Sequence, residues 1–139
     1  HGIEHIFICN GHAGNGSLLG QMDRFREELG IDVRFHSYWE AYSEEFVNEH
    51  LTSGDCPAHA AEFETSVALA AFPGNAHWDN VNYDAESFDI QWEHYREQDP
   101  VYHYAARDLA TPAKGRIMID AAANWVANQV KNMRGDPVS

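Results

Sequence analysis

The 139-residue sequence predicts an α/β fold with parallel strands, and two observations carry that prediction. A short β-branched and aromatic run, "EHIFIC" (Glu4 to Cys9), leads through a glycine-rich turn and a helix-forming stretch into a second alternating run, "IDVRFHSYW" (Ile31 to Trp39). A strand–loop–helix–strand unit of this kind closes as a right-handed parallel crossover. The remaining clear periodicity is helical, at Ala58–Phe72 and from Thr111 to about Met133.

Each element has a local reason. Glu4 to Cys9 is rich in Ile and Phe, as a buried strand requires. Gly11 to Gly16 form the turn, and Ser17 or Gly16 is placed to cap a helix ending at Glu28, with Leu18, Leu19, Met22 and Phe25 at helical spacing. Gly30 is free to take the positive φ that ends a helix. Ala41 to Leu51 reads as an acidic helix whose Glu44, Glu45 and Glu49 form a solvated face. Thr52 to Pro57 is a loop. Pro73-Gly74 stops the next helix, and Thr111-Pro112 starts the last one, with proline in its first turn. Asn75 to Pro100 has no clear period and reads as an excursion with short elements.

Composition narrows the function. The hydrophobic share of 44%, with four Trp, six Tyr and seven Phe, is enough for a core. A net charge of −13 would repel a phosphate backbone, so no nucleic-acid partner is expected. No apolar run approaches the ~20 residues that span a bilayer, and no signal segment opens the chain, so a cytoplasmic protein without a membrane partner is expected. Cys9 and Cys56 are expected as thiols, although a disulfide is compatible with the sequence. The start at His1, with no methionine and a strand within a few residues, suggests processing, truncation or one half of a longer chain.

Two segments carry chemistry. "NGHAGN" (Asn10 to Asn15) follows a strand and precedes a helix, at the sheet edge where α/β proteins bind ligands. It has neither the Lys-Ser/Thr of a phosphate loop nor G-x-G-x-x-G. The histidine is therefore the feature to explain: His12 is either a ligand or catalytic imidazole, or a ring hydrogen-bonded within a turn. In "HAAEFETS" (His59 to Ser66), His59 and Glu62 share a helix face while Glu64 is rotated from both. Glu62 reads as an acid offsetting the helix dipole, with a partial capping role. Glu64 is the last polar step before an apolar helix, and a carboxylate entering a core needs a partner or a metal. His36 reads as a packing residue and Trp125 as a core residue. His77, Trp78, His94, His103 and Tyr104 lie in the irregular region and are weaker pocket candidates.

Asn10 to Asn15 resembles the N-G-H-G-G-N signature of the creatininase (creatinine amidohydrolase) family. His59 to Ser66 resembles its H-A-G-E-x-E-T-S signature, and "LATPAKG" (Leu109 to Gly115) its A-T-x-E-K-G stretch. The resemblance implies a three-layer α/β/α sandwich with a mostly parallel sheet, often hexameric, with a dinuclear zinc or manganese site. It implies metal-ligand roles for His12 and Glu64. It also implies a substrate-facing, proton-handling catalytic role for His59, with Ala13 and Gly14 as further substrate-binding positions. The implied activity is metal-dependent hydrolysis of a small cyclic amide or related carbonyl ring by a metal-bound hydroxide.

The departures matter as much. The family's other ligands lie in an N-terminal E-x-H…D segment that this sequence does not contain. Residues 1–139 are thus expected to be a single domain, the C-terminal part of a creatininase-like domain. Its missing half would come from a partner chain, in a homo- or hetero-oligomer, or has been lost. Creatininase proper has a glutamate where Gly14 stands, and a tryptophan where Asp55-Cys56-Pro57-Ala58 stand, which argues against creatinine itself. The alternatives are ring-opening C–C hydrolysis of a keto-inositol, and a non-catalytic subunit that completes a partner's fold.

Overall fold

The computed structural model describes residues 2–58, 61–75 and 108–137. They form two compact units, His1–Ser43 with Asp120–Ser139, and Glu44–Ile119. Within them, the order is strand β1 (His5–Asn10), a 3₁₀ segment (Ala13–Gln21), helix α1 (Met22–Leu29), strand β2 (Asp32–Ser37) and a 3₁₀ turn (Tyr38–Ala41). Helices α2 (Glu44–His50) and α3 (Glu62–Ala71), a short 3₁₀ turn (Pro73–Asn75) and helix α4 (Pro112–Arg134) follow.

In the first unit β1 and β2 pair in parallel, as the strand–loop–helix–strand pattern requires. Their register sets Ile6 against Val33 and Ile8 against Phe35. With a side-chain period of two, these four residues share one face. They pack there with Met22, Phe25 and Ile31 to make the core. The opposite face carries Phe7 and His36, whose rings stack at 5.7 Å, with the Trp125 edge 5.5 Å from His36. His36 packs as expected and also turns Nδ1 to Glu40 at 2.8 Å, whereas Trp125 is half-buried against it rather than in the core.

The first helix differs from its expectation. Ala13–Gln21 is 3₁₀, and α-helix begins only at Met22. Gly14, Gly16 and Gly20 lie in that stretch, and glycine disfavours a regular α-helix by about 1 kcal/mol each. Leu18 and Leu19 accordingly remain exposed, at 41% and 60%, while Met22 is buried. Gly30 takes φ 66° and closes α1, as expected. The second strand is shorter than its apolar pattern, because Tyr38–Ala41 turns into 3₁₀ structure.

The second unit has its own core of Val47, Leu51, Ala61, Phe63 and Met118. Its acidic helix is confined to Glu44–His50, and Glu44, Glu45 and Glu49 are solvated. Helix α3 starts at Glu62 rather than Ala58, since Ala61 is still extended and the first helical bond is Thr65 N–H to Ala61 O. Helix α4 starts where Thr111-Pro112 predicted it, and the Thr111 hydroxyl accepts from the Lys114 amide at 3.2 Å. Among the described residues no helix is long and apolar enough to cross a membrane. The expected excursion beyond Asn75, with His77, Trp78, His94, His103 and Tyr104, lies outside the described residues.

Candidate functional site

The NGHAGN loop is built on one buried carboxamide. Asn10 ends β1, is 4% exposed and is in register with Ser37 of β2. Its Nδ2 donates to the Ser37 hydroxyl at 2.9 Å. Its Oδ1 accepts from the His12 amide and from Asn15 Nδ2, both at 3.1 Å. The Asn15 amide then donates to the His12 carbonyl at 3.1 Å. The chain leaving the sheet is thereby tied to the end of the neighbouring strand, and the loop is closed upon itself. Sequence reading passed over Asn10, Asn15 and Ser37; the signal available was an amide at each end of a six-residue loop.

His12 stands exposed at the tip of this loop, just before the 3₁₀ segment. Its Nδ1 accepts the Gly14 amide proton at 3.0 Å, so a neutral ring carries its own proton on Nε2. Glycine lets the ring lie this close. A Cβ there would lie 2.8 Å from both Cε1 and Nδ1 of the ring. Ala13 and Gly14 are exposed beside the ring. A groove of about 470 Å³ in the same unit, lined by Ile3, Phe7, Val130 and Met133 among others, includes none of these residues.

Glu64 is half-buried on α3, in the second unit. Its negative charge acts on Cys56, whose thiol is pushed up to about 12, first by burial and then by that charge. Cys56 is therefore a neutral thiol near neutral pH and a poor nucleophile. Cys9 and Cys56 are both free. His59 lies outside the described residues.

Glu62 stands in the first turn of α3, as its dipole-offsetting role requires, and does more than that. It is fully buried, and both carboxylate oxygens are used. Oε1 accepts from the Thr52 amide at 3.1 Å and Oε2 from the Ser53 amide at 2.7 Å, while the Lys114 ammonium pairs with Oε1. Burial pushes its carboxyl upward, but the bonds from Lys114, Ser53 and Thr52 outweigh that and hold it below the ordinary carboxylate range. Lys114 also donates to the Thr52 hydroxyl at 3.1 Å and to the Leu109 carbonyl at 3.0 Å.

Imidazole and carboxylate are suitable donors for zinc or manganese. They are too few for a centre, however: among the described residues no group of three or more His, Cys, Asp or Glu is arranged to hold a metal ion. The Nδ1 lone pair of His12 is moreover engaged by Gly14, so coordination would first open that bond or exchange the tautomer. The described residues thus offer single donors of the right chemistry and not a complete metal site.

No curated protein and no solved structure matches the chain. The family model described as creatinine amidohydrolase matches residues 1–130, which include the His12 loop, the α3 segment and most of α4. The chain therefore belongs to the creatininase family of metal-dependent amidohydrolases.

Proposed function

We propose that this chain supplies part of a metal-dependent hydrolase site acting on a small cyclic amide or a related carbonyl ring. The reading rests on one observation above others: an exposed imidazole, His12, on a tightly bonded loop at the C-terminal end of a parallel strand, in a chain of this family. His12 and Glu64 are its metal-ligand candidates. His59 is the candidate for passing a proton to the leaving group, and Ala13 and Gly14 for lining the substrate's approach. Zinc or manganese, when bound, supplies carbonyl polarisation and a low-pKa water. The remaining ligands belong to the family's E-x-H…D half, carried either on the same polypeptide or by a partner chain in a homo- or hetero-oligomer.

Gly14 bears on the substrate. Creatininase proper is expected to carry a glutamate at this position, and glycine offers no carboxylate there. That departure supports another cyclic amide or a keto-inositol over creatinine. A panel of cyclic amides and keto-inositols separates those two chemistries. The decisive experiment compares bound zinc and manganese, and turnover on that panel, in the native assembly and in the His12→Ala and Glu64→Ala variants. Loss of both metal and turnover is expected. Survival of both in either variant removes that residue from the ligand set.

A further inference from the structure

The Lys114–Glu62 pair lies outside the roles assigned above, and the structure gives it more than an ordinary ion pair's connections. Lys114, on the first turn of α4, reaches three oxygens: Glu62 Oε1, Thr52 Oγ1 and the Leu109 carbonyl. Glu62 in turn takes the Thr52 and Ser53 amides, fixing the start of the segment that runs toward His59. One residue past the lysine, the clearance between helices vanishes. A Cβ on Gly115 would fall 1.9 Å from the Ser66 carbonyl oxygen and 2.8 Å from the Ala70 Cβ. The fully buried Ser66 hydroxyl accepts from the Thr111 amide at 3.1 Å.

Glu62 and Ser66 are four residues apart and so share one face of α3, the face against α4. Glu64 is about 200° around the helix from Glu62. Whatever fixes the rotation of α3 about its axis therefore fixes the direction of Glu64. Apolar packing alone leaves a helix some freedom to turn or slide. A buried ion pair with four further hydrogen bonds does not, and it is a costly way to gain stability alone.

We infer that Lys114 and Glu62, locked by Gly115 against Ser66, are positioning residues. They set the rotation of α3 and the start of the 52–58 segment, and through these the direction of Glu64. This rests on the reading of Glu64 as a metal ligand.

The test uses Lys114→Met, Lys114→Arg and Glu62→Gln in the assembly as purified, with Val47→Ala as a control for lost stability at another buried site. Two quantities are read below the unfolding transition: Mn²⁺ affinity, and the alkylation rate of Cys56 in a Cys9→Ser background. Lys114→Met is expected to weaken Mn²⁺ binding about tenfold and to expose Cys56 to faster alkylation, with partial rescue by arginine. Val47→Ala should leave both within about twofold. Should Lys114→Met fail to fold, Glu62→Gln is expected to show the same two changes. Unchanged alkylation and affinity in a folded Lys114→Met or Glu62→Gln protein, or equal changes in Val47→Ala, overturn the inference. Faster Cys56 alkylation in Lys114→Met, with native Mn²⁺ affinity in Glu64→Ala, would instead overturn the ligand assignment and leave the positioning of α3 standing.

Discussion

The Gly14 amide donates to Nδ1 of His12 at 3.0 Å, and the same glycine leaves no room for a Cβ beneath the ring. Gly14→Ala should therefore swing the imidazole away, since the ring end of a side chain moves more easily than backbone. The lost bond is exposed, so the stability cost should stay at or below about 1 kcal/mol. The expected result is a nearly unchanged Tm with large changes in the His12 ring signals by NMR. Unmoved ring signals would show that the two groups are not in contact.

Asn10 should be far less tolerant. Its carboxamide serves the Ser37 hydroxyl, the His12 amide and the Asn15 side chain while almost wholly buried. Asn10→Ala leaves those groups without their partner. A loss of about 1–3 kcal/mol in urea unfolding is expected. Hydrogen exchange at the His12 amide should quicken at the same time. A variant as stable as the native chain, with a protected His12 amide, would contradict this account of the loop.

Glu62 makes stability depend on acid. Its carboxyl is held below its ordinary value because the bonds from Lys114, Ser53 and Thr52 outweigh the opposing effect of burial. A depressed folded-state pKa means that the unfolded chain takes up the proton first as pH falls. The contribution is thus complete above about pH 4.3, the ordinary glutamate value, and is lost as pH drops through the lower folded value. Urea midpoints should fall between pH 7 and pH 3. Removing one partner, in Lys114→Met, should cost about 3–5 kcal/mol at pH 7. In Glu62→Gln the acid-dependent loss should be smaller. An identical pH profile in that variant would exclude Glu62 as its source.

The two thiols should react at different rates. Cys9 is exposed and Cys56 half-buried; burial raises both pKa values, and the Glu64 charge helps carry Cys56 to about 12. Only the thiolate attacks an alkylating reagent. Iodoacetamide at pH 8 should therefore modify Cys9 first, with Cys56 slower by about tenfold or more. A raised folded-state pKa also means that the Cys56 contribution to stability is present below about pH 8.5 and lost as pH rises through the folded value. Peptide mapping of a labelling time course gives the two rates, and equal rates would refute the assignment.

Local rules sufficed wherever a residue acts through its own backbone or its nearest neighbours. Gly30 ends α1, Thr111-Pro112 begins α4, and the alternation of Ile6, Ile8, Val33 and Phe35 sets the parallel pair and its core face. The two chemical segments and their family were likewise legible, because strand-end loops and helix starts announce themselves in residue type and order. The 3₁₀ path of Ala13–Gln21 was missed because apolar spacing suggested an α-helix where three glycines weaken it. Tertiary structure alone decided which acid of "EFET" is sunk into the protein. Helical spacing gives the angle between Glu62 and Glu64 but not the direction in which either points. That direction was set by Lys114, 52 residues away, whose ammonium offsets the cost of burying the Glu62 charge.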